Sequence, residues 1–68
     1  MTKNYSVLYK DCVLYSTTSL LDACHFVINY AAERKLEFWV QEKLYGGRIH
    51  YTYYDKNDNY YTFTIIKD

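Results

Sequence analysis

Ser19-Leu20-Leu21-Asp22-Ala23-Cys24-His25-Phe26-Val27-Ile28-Asn29-Tyr30-Ala31-Ala32-Glu33-Arg34-Lys35 is the stretch that decides the fold. At 100° per residue, Leu20, Leu21, Cys24, Val27, Ile28 and Ala31 fall in one stripe with Ala32 at its margin, while Asp22, Asn29 and Glu33 lie opposite. That pattern predicts an amphipathic helix from Leu20 to Lys35. Ser19 followed by Asp22 resembles a capping box with Asp in place of Glu, and Asp22 suits the positive end of the helix dipole. Phe26 and Tyr30 depart from the pattern, one turn apart on the polar flank.

On either side of the helix the period is two. Before it, Tyr5 to Lys10 and Cys12 to Ser16 read as two short strands around a turn at Lys10-Asp11, a turn without the Asn-Gly signal. Either Tyr5, Val7 and Tyr9 or Leu8 could face the core, so the register of this hairpin stays open. After the helix, Leu36, Phe38, Val40 and Leu44 alternate with Glu37, Trp39, Gln41 and Lys43, which describes a half-buried strand. Gly46-Gly47 supplies a turn, and strands Arg48 to Tyr54 and Tyr60 to Lys67 follow, joined by the polar loop from Asp55 to Asn59.

The expected architecture is α+β: a single helix packed on one face of a small, largely antiparallel sheet, in the order β-β-α-β-β-β, forming one domain over residues 1–68. One helix covers only one face of such a sheet. Leu36, Phe38, Val40, Ile49, Tyr51, Tyr53, Phe63 and Ile65 form the expected inward set. The opposite face is expected to carry Trp39, Lys43, Arg48, His50, Thr52, Tyr54, Tyr60, Thr62, Thr64 and Ile66.

Composition narrows the function. Eight Lys and Arg balance eight Asp and Glu, which removes the bulk attraction that non-specific nucleic-acid or anionic-membrane binders use. No apolar run reaches signal-peptide or membrane-spanning length, so a cytoplasmic protein with reduced Cys12 and Cys24 is expected. The start at Met1, with no flanking linker, reads as a complete small gene product.

Signals for chemistry are weak. Cys24 and His25 are helix neighbours whose side chains diverge by about 100°, and Cys24 lies on the apolar stripe, where cysteine behaves as a small hydrophobe. Two Cys and two His at positions 12, 24, 25 and 50 lack zinc-site spacing. Asp55-Lys56-Asn57-Asp58-Asn59 opens like a calcium loop, but Tyr60 stands where glycine is needed and Ile66 where a bidentate Glu belongs. Gly46-Gly47-Arg48 precedes a strand and lacks the helix dipole of a phosphate loop. No catalytic residue, metal or cofactor is expected.

Aromatic residues remain: ten Tyr, three Phe and one Trp make up 21% of the chain. Tyrosine and tryptophan give rigid contact area with a polar tip, which interfaces favour, although cross-strand aromatic pairs also stabilise sheets. Trp39, Tyr54, Tyr60, Arg48 and His50 form the first candidate binding surface, with Phe26 and Tyr30 as the second. The sequence thus predicts a non-catalytic protein-binding module, in style like the small phage or mobile-element inhibitors of host or defence proteins, including anti-CRISPR-type proteins. A homodimer is also compatible with open sheet edges. The alternative is a single-stranded nucleic-acid binder that stacks bases on Trp39, Tyr54 or Tyr60 beside Arg48 and Lys43.

Overall fold

The structure, a computed structural model, describes residues 4–67. Helix α1 spans Leu20–Glu33 and is opened by Ser19, whose Oγ accepts the Asp22 N–H at 3.2 Å. The Asp22 carboxylate does not turn back to complete a capping box. It accepts the Tyr15 phenol proton at 2.6 Å and so ties the helix start to the second strand.

At its other end the helix stops before Lys35. The Leu36 N–H donates to the Ala31 carbonyl at 3.0 Å and the Lys35 N–H to the Ala32 carbonyl at 3.1 Å, closing a Schellman motif. Lys35 takes the left-handed position of that motif with φ 58°, where glycine is the favoured residue.

Five strands form one sheet: β1 (Tyr5–Tyr9), β2 (Cys12–Thr17), β3 (Glu37–Leu44), β4 (Arg48–Tyr54) and β5 (Tyr60–Lys67), in the order β2-β1-β5-β4-β3. All neighbours are antiparallel. This is the α+β arrangement and element order expected from the sequence. Lys10 and Asp11 turn the first hairpin with φ 50° and 65°, the two positive values of a type I′ turn, which suits the twist of its strands.

The core lies between α1 and β2, β1 and β5. Val7, Ala23, Val27, Ala31, Tyr53, Phe63 and Ile65 are buried in it. Val7 pairs with Ile65 and Tyr9 with Phe63, so Tyr5, Val7 and Tyr9 face inward and Leu8 faces out. The open register is thereby resolved.

Three expectations about facing are corrected. First, α1 is rolled about 90° from its expected orientation when residues are stepped at 100°. Ala23, Phe26, Val27, Tyr30 and Ala31 meet the sheet or its flank, whereas Leu21 and Ile28 are 66% and 53% exposed. The cause is aromatic. Phe26 stacks on Tyr15 with ring centroids 4.5 Å apart, and Tyr30 meets Phe63 edge-on at 5.5 Å, which turns that flank inward.

Second, β3 is an exposed edge strand along its whole length, not a half-buried one. Third, its alternation is broken. Phe38 pairs with Tyr53 and Val40 with Thr52, leaving Trp39 as the extra residue of a β-bulge. Beyond the bulge the faces are exchanged. Val40 and Leu44 lie on the side away from the helix, while Lys43, opposite Ile49, lies on the helix side. Phe38 does face the helix side but remains 54% exposed.

Among the described residues, no helix is long and apolar enough to cross a membrane.

Candidate functional site

The sheet face away from α1 carries alternate residues of every strand, and no described segment of the chain lies across it. Its most aromatic part sits where β3, β4 and β5 run together. Tyr54 pairs with Glu37 on one side and Tyr60 on the other. The Tyr54 hydroxyl donates to Glu37 Oε2 at 2.8 Å, which fixes the ring and raises the phenol pKa, because the neighbouring carboxylate holds the proton.

The bulge at Trp39 brings its indole over Tyr60, with centroids 4.8 Å apart and planes inclined at 53°. Tyr60 in turn lies 6.2 Å from Tyr54. Trp39 is 59% and Tyr60 55% exposed, so two large rings stand in solvent in contact with each other. Such a cluster is preorganised: little side-chain freedom is left to lose when a partner covers it.

Arg48 and His50 occupy the same face but are not part of this cluster. His50 lies four residues before Tyr54 on β4, about 13 Å away at the rise of an extended strand. Thr52 and Thr62, with hydroxyl oxygens 3.2 Å apart, stand between. Arg48, His50, Thr64 and Ile66 line a shallow hollow of about 460 Å³ that runs along β5 to Tyr60. The candidate surface is therefore a strip, with aromatic rings at one end and a guanidinium and an imidazole at the other.

Phe26 and Tyr30, the second candidate surface, take part in the packing of the fold. Tyr15 covers Phe26, and Tyr30 packs on Phe26 and Phe63. Both are half-buried members of the packing between α1 and the sheet. A ring pair one helical turn apart on a polar flank signals a second packing surface as readily as a binding one.

Beside the helix C-terminus lies a small cavity of about 260 Å³, walled by Tyr9, Tyr30, Tyr61 and Phe63, that the sequence did not suggest. The Arg34 guanidinium lies 3.5 Å over the Tyr30 ring and donates to the Tyr30 carbonyl. Its other charged residue, Asp55, is committed to the β4–β5 loop. Asp55 Oδ1 accepts the Asn57 and Asn59 N–H groups, and Oδ2 accepts from the Asn59 amide and the Tyr61 hydroxyl. These donors, the Asn59 backbone N–H first and the Tyr61 hydroxyl next, lower its pKa from 3.8 to about 2.

The depressed value has a testable sign. A carboxyl that binds its proton less readily when folded stabilises the fold above its unfolded pKa, and that stability is lost as pH falls toward the folded value. Asp22, lowered chiefly by the Tyr15 hydrogen bond, acts in the same direction. The melting temperature is therefore expected to fall as pH drops from about 4 toward 2. Asp55→Asn should flatten part of that slope and lower the melting temperature at neutral pH, both measurable by circular dichroism. An unchanged slope would show that the loop hydrogen bonds do not persist in solution.

Cys24 Sγ and Tyr51 Oη lie 3.2 Å apart on the helix side of the sheet. Burial, with this hydrogen bond second, pushes the Tyr51 phenol well up. Cys24 thus meets a tyrosine across the layer, not a histidine. Compared with known protein families, curated proteins and solved structures, the chain matches none.

Proposed function

We propose that this chain is a non-catalytic protein-binding module that grips another protein with its open sheet face. Trp39 and Tyr60 serve as anchors, Tyr54 is braced by Glu37, and Arg48 and His50 supply polar contacts at the far end of the strip. The observation that carries this reading is the mutual contact of two rings that are each more than half exposed on an uncovered face. A small inhibitor of a host or defence protein, acting by occupying that protein's surface, fits this use of the face. Free Cys12 and Cys24 suit action in the cytoplasm.

The test begins with immobilised wild-type chain, a lysate of the native host and mass spectrometry of what is retained. Trp39→Ala is then expected to weaken binding to the retained protein by about 30-fold, the scale of a hot-spot truncation of roughly 2 kcal/mol. Full affinity in a Trp39→Ala variant with wild-type circular dichroism would remove this assignment. Titration with mixed-sequence single strands at two salt concentrations separates the nucleic-acid alternative, whose binding would weaken steeply with salt. Sedimentation separates a homodimer from the 8.2 kDa monomer.

A further inference from the structure

The helix side of the sheet is only partly covered. At about 4.8 Å between strands the sheet is roughly 24 Å wide, whereas a helix with its side chains is about 10 Å across. Helix α1 packs on β2, β1 and β5. Tyr51 and Tyr53 of β4 reach under α1, so the strip left open on this side runs over β3 and the outer part of β4.

This strip is a trough with two hollows. One, of about 400 Å³, is lined by Ile28, Ala31, Leu36, Phe38 and Tyr53 among others. The second, of about 290 Å³, lies toward Leu20, Ile49 and Lys43. The bond between Cys24 and Tyr51 falls between them along α1 and β4. Leu20 and Ile28, displaced from the core by the roll of α1, border the trough as exposed apolar side chains. Ala31 and Ala32 give the helical wall a low profile that lets a second helix approach closely.

Its charges are one-sided. Among the described residues, no carboxylate lines either hollow. Lys43 and Arg48 stand at the end of the second, and neither forms an ion pair among the described residues. The acidic residues of β3, Glu37 and Glu42, pair with Tyr54 and His50 and so face the opposite side.

We propose that this trough receives an amphipathic helix of a partner protein, whose apolar face fills the two hollows and whose flanks carry Asp or Glu toward Lys43 and Arg48. The trough lies on the other side of the sheet from Trp39 and Tyr60, and Arg48, at the end of the sheet, borders both surfaces.

Two synthetic helical peptides serve as probes. Both present the same leucines at i, i+3, i+4 and i+7; one has Glu flanks and the other Lys flanks. Each is titrated into the ¹⁵N-labelled full chain. The Glu-flanked peptide is expected to bind about tenfold more tightly, with amide shifts at Ile28, Leu36, Phe38 and Tyr53. Ile28→Asp, at a position already exposed, should abolish binding. Lys43→Glu should erase the preference between peptides, and Trp39→Ala should leave the titration unchanged. Equal affinity for both peptides, shifts confined to the open face, binding by neither, or a dimer in sedimentation that buries Phe38 would each overturn the proposal.

Discussion

Phe63→Ala is expected to leave most of the chain unfolded at 37 °C. Phe63 is 2% exposed on β5, the central strand. The rings of Tyr9, Tyr30 and Tyr53 surround it at 5.3, 5.5 and 5.9 Å, so it joins β1, α1 and β4 at one point. Removing a buried phenylalanine ring costs about 3–5 kcal/mol, from lost transfer energy and from the cavity left behind. A domain of this length holds only roughly 3–10 kcal/mol in total. The melting temperature should fall by about 20 °C or more at the usual scale for small domains. Phe63→Leu, which keeps most of the volume, should lose much less. A fall of under about 5 °C for the alanine variant would mean that these rings do not form the packing centre.

A charge at Val27 should be as damaging, with a signature that volume loss does not produce. Val27 is 1% exposed in the middle of α1, among Val7, Ile65 and the two alanines that bring the helix close to the sheet. No described cation lines that part of the core. Val27→Asp would bury a carboxylate without a partner, which costs several kcal/mol and raises its pKa far above the usual range. The sign with pH is then opposite to that of Asp55. A group whose folded pKa is raised binds its proton more readily in the folded state, so acid favours folding. Helical circular dichroism is expected to be mostly lost at pH 7 and partly recovered near pH 4.5, before the acid-labile loop and the Asp22 contact begin to weaken. A variant that is folded at pH 7 and insensitive to acid would show that Val27 reaches water.

The element order could be read from the sequence because period and turn chemistry agree almost everywhere. Ser19 opens the helix in the structure as its sequence context suggests, and Gly46 and Gly47 adopt positive φ at the turn expected of them. Facing was harder. The roll of α1 depends on whether Leu20, Leu21 and Ile28 or Phe26 and Tyr30 find partners. That is decided by Tyr15 and Phe63, distant in sequence from the helix residues they meet. The bulge is similarly hidden: one extra residue at Trp39 leaves no periodic mark, yet it transfers Val40, Leu44 and Lys43 to the other side of β3. Trp39 itself was correctly placed, since the alternation holds up to the bulge. His50 and Arg48 share its face as expected, but only the strand rise shows that they lie too far along to join its rings.

A bulge also occurs in the other outermost strand. In β2, Val13 pairs with Leu8 and Tyr15 with Val7, so Leu14 is the inserted residue, as Trp39 is in β3. Both lateral margins of the sheet are thus locally kinked and strongly twisted. A straight, regular margin would be a template on which further copies could add strand by strand into fibrils, a hazard for a chain so rich in tyrosine and β-branched residues. With both margins out of register, continued lateral growth has no flat row of free amides to build on. The irregularity that confounds a simple reading of alternation therefore also acts as a safeguard against amyloid.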